Sequence, residues 1–419
     1  MISWRILNSG NFFTAIFIYM DLHDGLPFWL IKNGLPNLYP QLQENIKTKV
    51  VVLGGGITGA IQAFYLAEAG IECIVIDKRS NGLGSTSAST ALLQYQIDTP
   101  LQELIEKVGY DKAVRSYQLC AESIVETERI SKKVGHKDFV RRPTIFYAAK
   151  KKDEDMLRKE FQLHKDASFN VKYWDADKLK ANTALDFSCA MLSDHSAEID
   201  AYKFCHQCLQ YAKRKGVKVF ERTDAQEIKH SSTGVKIITG GGFEIKADYL
   251  IYATGYEVVE NISKDIVDLQ STYAMISPRF ENTDEFWYKR SLIWNTDDPY
   301  LYMRTTKDNR IIVGGRDDDF CLPSKRSKVL PRKISLLKKD FAKLFPKLAF
   351  EPEFSWCGTF GGTKDGLPYI GKYSSKPRGL FALGFGGNGI TFSIIAGQLL
   401  RDKILGEKSP DLEIFKFNR

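Results

Sequence analysis

Three groups of residues have types and spacings that suggest chemistry. The first is Gly54-x-Gly56-x-x-Gly59, with Ile57 and Thr58 in the last gap and Asp77 further on. In such a loop Gly54 makes the tight turn, Gly56 lets the backbone approach a pyrophosphate, and Gly59 lets a helix press on the preceding strand. The helix start offers N–H groups and partial positive charge to phosphate oxygens. Asp77 stands where an acid holds ribose hydroxyls. The second group follows Asp77: Lys78, then Gly84-Ser85-Thr86-Ser87-Ala88-Ser89-Thr90. Small hydroxyl and glycine residues can donate to phosphate oxygens or lie against a flat ring without steric conflict. The third is Gly384-x-Gly386-Gly387-Asn388-Gly389-Ile390-Thr391, a glycine-rich loop opening a helix, and so a second anion site.

The elements that must position these groups are legible around them. The β-branched run Val50-Val51-Val52-Leu53 precedes the first loop, an Ala-rich helical pattern covers 57–69, and a strand over 71–76 ends in Asp77. Strand, loop, helix, strand and acid in this order read as a dinucleotide-binding βαβ unit. A strand over 217–220 extends the same sheet. A hairpin over 235–247 leads into an apolar strand over 248–255 that closes on Ala253-Thr254-Gly255, small residues suited to lie beside a cofactor. Helices are expected over 101–134, 150–165, 201–215 and 391–405, and a strand over 142–149. The segment 271–315 has another texture: repeating Tyr, Phe and Trp between turn signals, an antiparallel sheet. An amphipathic helix over 329–345 follows, with Leu330, Ile334, Leu337, Phe341 and Leu344 inside.

The chain has 419 residues, which suits about two domains. The net charge of +8 sits in one stretch, 325–347, where nine Lys or Arg stand against Asp340 alone. The rest is near neutral, which argues against nucleic-acid binding. The seven cysteines show no disulfide pattern, so a reducing, cytoplasmic setting is expected. Cys205 and Cys208 form a Cys-x-x-Cys without a second pair at zinc spacing, so they read as ordinary helix cysteines and no metal is expected. The apolar stretch 12–20 is too short to span a bilayer, and no small-residue cleavage site follows it. Residues 1–19 therefore read as an unstructured or misassigned extension, with Met20 a plausible start. The aromatic segment Gly25-Leu26-Pro27-Phe28-Trp29-Leu30-Ile31 can pin a lead segment to the body.

Taken together, the first loop with Asp77, the run Gly84 to Thr90, Ala253-Thr254-Gly255, and Asp365-Gly366-Leu367-Pro368-x-Ile370-Gly371 with the terminal glycine loop resemble the FAD-dependent oxidoreductases of the D-amino acid oxidase superfamily. The branch is that of glycine oxidase, sarcosine oxidase and γ-glutamylputrescine oxidoreductase. The resemblance covers about 49–405. It implies an α/β, two-domain chain: a glutathione-reductase-type FAD domain in segments 46–140, 198–262 and 352–419, and an antiparallel-sheet substrate domain in 141–197 and 263–351, after a lead segment 1–45. It implies FAD as cofactor and a small amine or amino acid as substrate. A hydride would pass from the C–H next to the amine to flavin N5. A helix N-terminus at Gly386–Gly389 would favour the negative charge of the reduced ring. Arg304 occupies a place where glycine-oxidase-like relatives carry an arginine that would grip a carboxylate. Tyr302 alternates with it on one strand face, so the two are expected to line one pocket. Some relatives attach the flavin through a cysteine near Cys357, but that position falls at Gly358 here, so non-covalent FAD is expected. A lysine that assists oxygen in relatives is replaced by Ile312, which leaves oxidase and dehydrogenase both open. The rivals are a 2-hydroxy-acid or glycerol-3-phosphate dehydrogenase on the same fold, and a non-enzymatic or tRNA-modifying flavin module.

Overall fold

The computed structural model describes residues 22–183, 185–257, 262, 266–319 and 323–419. The expectations for residues 1–19 and for Met20 lie outside the described residues. Two sheets organise the chain. Among the described residues the nucleotide sheet has eight strands. Its parallel centre is formed by Lys218–Phe220, Cys73–Ile76, Ile46–Leu53, Glu244–Tyr252 and Gly379–Leu383 in spatial order. Val50, Val51 and Val52 are fully buried, as parallel strands covered on both faces must be. The helices Ile57–Glu68, Ala201–Arg214 and Gly389–Leu405 pack beside them in one apolar core. The expected hairpin and returning strand merge: Val235–Thr239 pairs with the first half of Glu244–Tyr252.

The second sheet has ten strands among the described residues, including Val140–Tyr147, Cys189–Glu198, Asp268–Ile276, Leu292–Asn295, Tyr302–Thr305 and Ile311–Asp319. Its pairings are antiparallel except one: Leu292–Asn295 runs parallel to Val140–Tyr147. The helix Pro323–Leu344 covers one face, burying Leu337 and Phe341 completely or nearly so.

Two boundaries of the sequence-based domain scheme change. Phe354–Gly362, expected in the FAD domain, pairs with Asp268–Ile276 in the second sheet, and Leu92–Gln94 pairs with Cys189–Glu198. Both strands touch the cofactor region on one side and hydrogen-bond into the other sheet, so composition alone cannot assign them. The lead segment is structural from its first described residues. His23–Gly25 adds to the edge of Phe354–Gly362, and Phe28 and Trp29 are 3% and 1% exposed.

Candidate functional site

The first glycine loop needs its glycines for measurable reasons. Gly54 adopts φ +107°, and a Cβ there would lie 2.5 Å from the Ala253 carbonyl oxygen. A Cβ on Gly59 would lie 1.8 Å from the Gly54 carbonyl oxygen, which is the close helix–strand approach the spacing implies. Gly55, not singled out from the sequence, is as constrained: its Cβ would meet the Asn81 side-chain oxygen at 1.6 Å. The Ile57 N–H donates to Thr86 Oγ1 at 2.9 Å, tying the loop to the hydroxyl-rich run. Cys205 donates its thiol to the Gly55 carbonyl at 3.6 Å, and Cys205 and Cys208 lie fully buried in their helix.

Asp77 accepts the backbone N–H groups of Gly55 and Arg79, both at 2.7 Å. Burial pushes its carboxyl up to about 6, against the lowering effect of those two donors. Lys78 and Arg79 both pair with Glu257, at 3.0 and 2.6 Å. The hydroxyl-rich run forms a single helical turn, Ser85–Ala88. Two indoles clamp its end: Trp29 Nε1 donates to the Ser89 carbonyl at 2.7 Å and Trp356 Nε1 to the Ala88 carbonyl at 2.8 Å.

At the other end, the glycine loop opens Gly389–Leu405. Asn388 Nδ2 donates to the Gln96 carbonyl at 2.9 Å. The Gly387 N–H donates to Asp98 Oδ2 at 2.6 Å, and Tyr300 donates to Asp98 Oδ1 at 3.1 Å. An acid thus sits against the loop expected to face negative charge. Burial pushes the Asp98 carboxyl up, while the Gly387 and Tyr300 donors pull it down.

These parts enclose one cavity of about 510 Å³. Of the residues singled out from the sequence, its wall contains Gly54, Gly56, Ile57, Thr58, Asp77, Lys78, Ser85, Thr86, Ser89 and Thr90 from the first half of the chain. From the second half come Ala253, Thr254, Gly255, Tyr302, Gly358, Gly384, Gly386, Gly387, Asn388, Gly389, Ile390 and Thr391. Three stand outside it. Gly59 is behind the loop, where it allows packing. Ser87 is buried and donates to the Gly84 carbonyl at 2.9 Å. Arg304 is 1% exposed, donates to the Ile199 carbonyl at 3.0 Å and lies 5.4 Å from the Trp29 ring centre. The expectation that Arg304 and Tyr302 line one pocket is therefore corrected. Alternation does put them on one strand face, but the cavity ends at Tyr302. One pair further on, the face is covered by the helix Phe28–Asn33 of the lead segment.

Several wall residues carried no sequence signal that was used. Asp98 and Tyr300 close the distal end, with Tyr256 donating to the Gly386 carbonyl at 3.1 Å. Thr272 lies 3.4 Å from the Tyr302 hydroxyl, and Asp317 lines the same region. Tyr300 alternates with Tyr302, which was a usable signal. Asp317 opens the run Asp317-Asp318-Asp319, which reads as a solvated strand end. Gly314 makes room for Tyr302, whose Cζ would be 2.3 Å from a Cβ there.

The residues fit an extended dinucleotide. The glycine cradle leaves space only where no Cβ stands, and Thr254 Oγ1 lines the cavity buried and without a partner. Cys357 is fully buried in the apolar core with Tyr273 and Met303, while its neighbour Gly358 lines the cavity. No cysteine stands among the described residues of the wall.

This fold and cavity belong to a known class. The FAD dependent oxidoreductase (DAO) family model matches residues 49–403, most of the chain, and the protein is a member of that family. It is an FAD-dependent oxidoreductase with FAD as its cofactor. It is 24% identical over 388 residues to gamma-glutamylputrescine oxidoreductase of Escherichia coli, covering 88% of this chain and 86% of that one. It is 23% identical over 371 residues to glycine oxidase of Bacillus subtilis, covering 86% and 94%. The fold matches that of glycine oxidase from Geobacillus kaustophilus with a TM-score of 0.76 at 20% identity, over 89% of this chain and 99% of that one. No helix among the described residues is long and apolar enough to cross a membrane.

Proposed function

We propose that this protein oxidises the C–H bond next to the nitrogen of a small amine or amino acid. One observation carries the reading: a single cavity joins the dinucleotide cradle at Gly54 and Gly56 to an end walled by Tyr256, Tyr300, Tyr302, Asp98 and Asp317. When bound, FAD supplies the hydride acceptor. The chain supplies placement and electrostatics. Gly54, Gly56 and the start of Ile57–Glu68 hold the pyrophosphate, and Asp77 takes the ribose hydroxyls. Ser85, Thr86, Ser89, Thr90, Thr254 and Gly358 border the middle of the cavity. Gly386 to Thr391 border its far end. The three phenols, kept neutral by burial, exclude water from the reacting carbon. Reaction needs the neutral amine, and Asp98 is placed to hold the proton that leaves it.

The names of the relatives support an amine or amino-acid substrate. The wall argues against a phosphorylated polyol: among its described residues the cations are Lys78 and Arg79, and both pair with Glu257. The test is anaerobic mixing of the purified yellow protein with panels of amines, amino acids and 2-hydroxy acids while flavin absorbance is followed. Bleaching by amines or amino acids, with a rate that rises as the amine deprotonates, is expected. Bleaching by hydroxy acids alone would refute the reading.

A further inference from the structure

We propose that the distal end of the cavity is built for a cation, and that the enzyme selects a substrate amine carrying a second ammonium group, not one carrying a carboxylate beside the reacting carbon. This rests on the amine reading above and narrows it.

The distal wall holds two carboxylates, Asp98 and Asp317, and three phenols, Tyr256, Tyr300 and Tyr302. The group is connected. Tyr300 donates to Asp98, the Tyr300 and Tyr302 rings lie 5.8 Å apart, and Thr272 bridges towards Tyr302. The described cations near this end each have partners other than Asp98 and Asp317. Arg304 is turned to Ile199 and Trp29. Arg326 donates to Oγ1 of Thr359, a wall residue, at 2.7 Å. Lys333 donates to Asp318 and to the Arg316 carbonyl, at 2.6 and 2.7 Å. Arg316 pairs with Asp340 at 2.6 Å.

The two acids are not equivalent. Both oxygens of Asp98 accept hydrogen bonds, from Gly387 and Tyr300. Asp317 Oδ1 is buried and accepts none, while Thr272 bonds the same carboxyl group. A buried acceptor without a donor is costly, and an ammonium group supplies the donor and the opposite charge together. The phenol faces add a cation–π surface. A substrate carboxylate at the same place would meet two acids, with no arginine in the distal wall among its described residues, and so would be disfavoured.

The test uses purified holoprotein and two non-oxidisable probes, tert-butylammonium, which has N–H donors but no C–H beside its nitrogen, and butyrate, titrated against the flavin spectrum. A kinetic arm compares 1,4-diaminobutane with its carboxylated counterpart ornithine under anaerobic conditions. The expected result is a Kd at least tenfold lower for the cation than for butyrate. In Asp317→Asn the cation's Kd rises at least tenfold, with partial recovery in Asp317→Glu and no change in the resting flavin spectrum. Equal binding of the two probes, tighter butyrate binding, or an Asp317→Asn variant with unchanged cation affinity would overturn the inference. If the cation binds as expected but no amine bleaches the flavin, the oxidation reading fails while the cation site stands. If ornithine outpaces the diamine, the selectivity is refuted while amine oxidation survives.

Discussion

Replacing Gly59 with alanine sets a backbone clash against a gain in helix propensity. The new Cβ would lie 1.8 Å from the Gly54 carbonyl oxygen and 3.3 Å from Val52 Cγ1. A carbon–oxygen contact needs about 3.3 Å, so the helix and the turn must separate by about 1.5 Å. The atom in the way is main chain, so no side-chain rotation relieves it. Overpacking of this kind costs about 1–3 kcal/mol, and the better helix propensity of alanine returns at most about 1 kcal/mol. The loss in stability is modest. The loss in function is larger, because the displaced atoms are the turn that cradles the pyrophosphate. FAD affinity is expected to fall at least tenfold, read by titrating apoprotein with FAD and following flavin fluorescence. Gly362→Ala is the control, since a Cβ there meets nothing within 4 Å and its φ is not positive. A Gly59→Ala protein with the control's melting temperature and FAD affinity would refute the packing argument.

Other outcomes follow from the same geometry. Denaturing the holoprotein in acid should release all of its flavin, and Cys357→Ala should bind FAD like the parent, as measured by flavin in the supernatant. Flavin retained on the parent protein and lost in the variant would show a covalent link. Arg304→Met should lower stability by roughly 2 kcal/mol, because the Ile199 carbonyl and the Glu198 carboxylate, 4.0 Å from the guanidinium, lose a buried partner, while leaving the preference between cationic and anionic probes unchanged; a selective loss of butyrate binding would restore Arg304 to the site. Burial pushes the Asp317 carboxyl up to about 7, with Thr272 and Lys333 lowering it and Asp98 and Asp318 raising it. A carboxyl raised in the folded protein is neutral below that value. Cation affinity should therefore strengthen up to about tenfold per pH unit as pH rises towards 7, then level off. A flat profile between pH 5 and about 8 would remove Asp317 from the binding step.

Much of the cofactor end was legible because local rules decide it. The loop Gly54–Gly59 is fixed by short-range sterics, and the buried Val50–Leu53 run can only be a central strand. The terminal loop Gly384–Gly389 is similar. The distal end was not legible, because its residues meet only through sheet register. Asp317 reaches the cavity near a register shift between Ser271 and Tyr273 on the neighbouring strand. Asp98 meets Gly387 from the far side of the chain. Arg304 was misplaced because its partner Trp29 comes from the lead segment, whose three-residue strand has too little length to announce itself. The boundary near Phe354 was not legible because that strand lines the cavity yet pairs within the second sheet.

The way the cradle is sewn together has a consequence for biosynthesis. The indole of Trp29 holds the Ser89 carbonyl, the strand carrying Gly358 pairs with His23–Gly25, and Thr58 Oγ1 bonds Ser393 Oγ at 2.8 Å. Parts from the first and last tenths of the described chain must meet before the cavity has walls. A nascent chain emerging from the ribosome cannot grip its cofactor early, so FAD capture is a late step in maturation. Cells short of riboflavin should accumulate full-length chains whose sheets have formed but whose seam between them has not closed, and it is there that proteases should cut first.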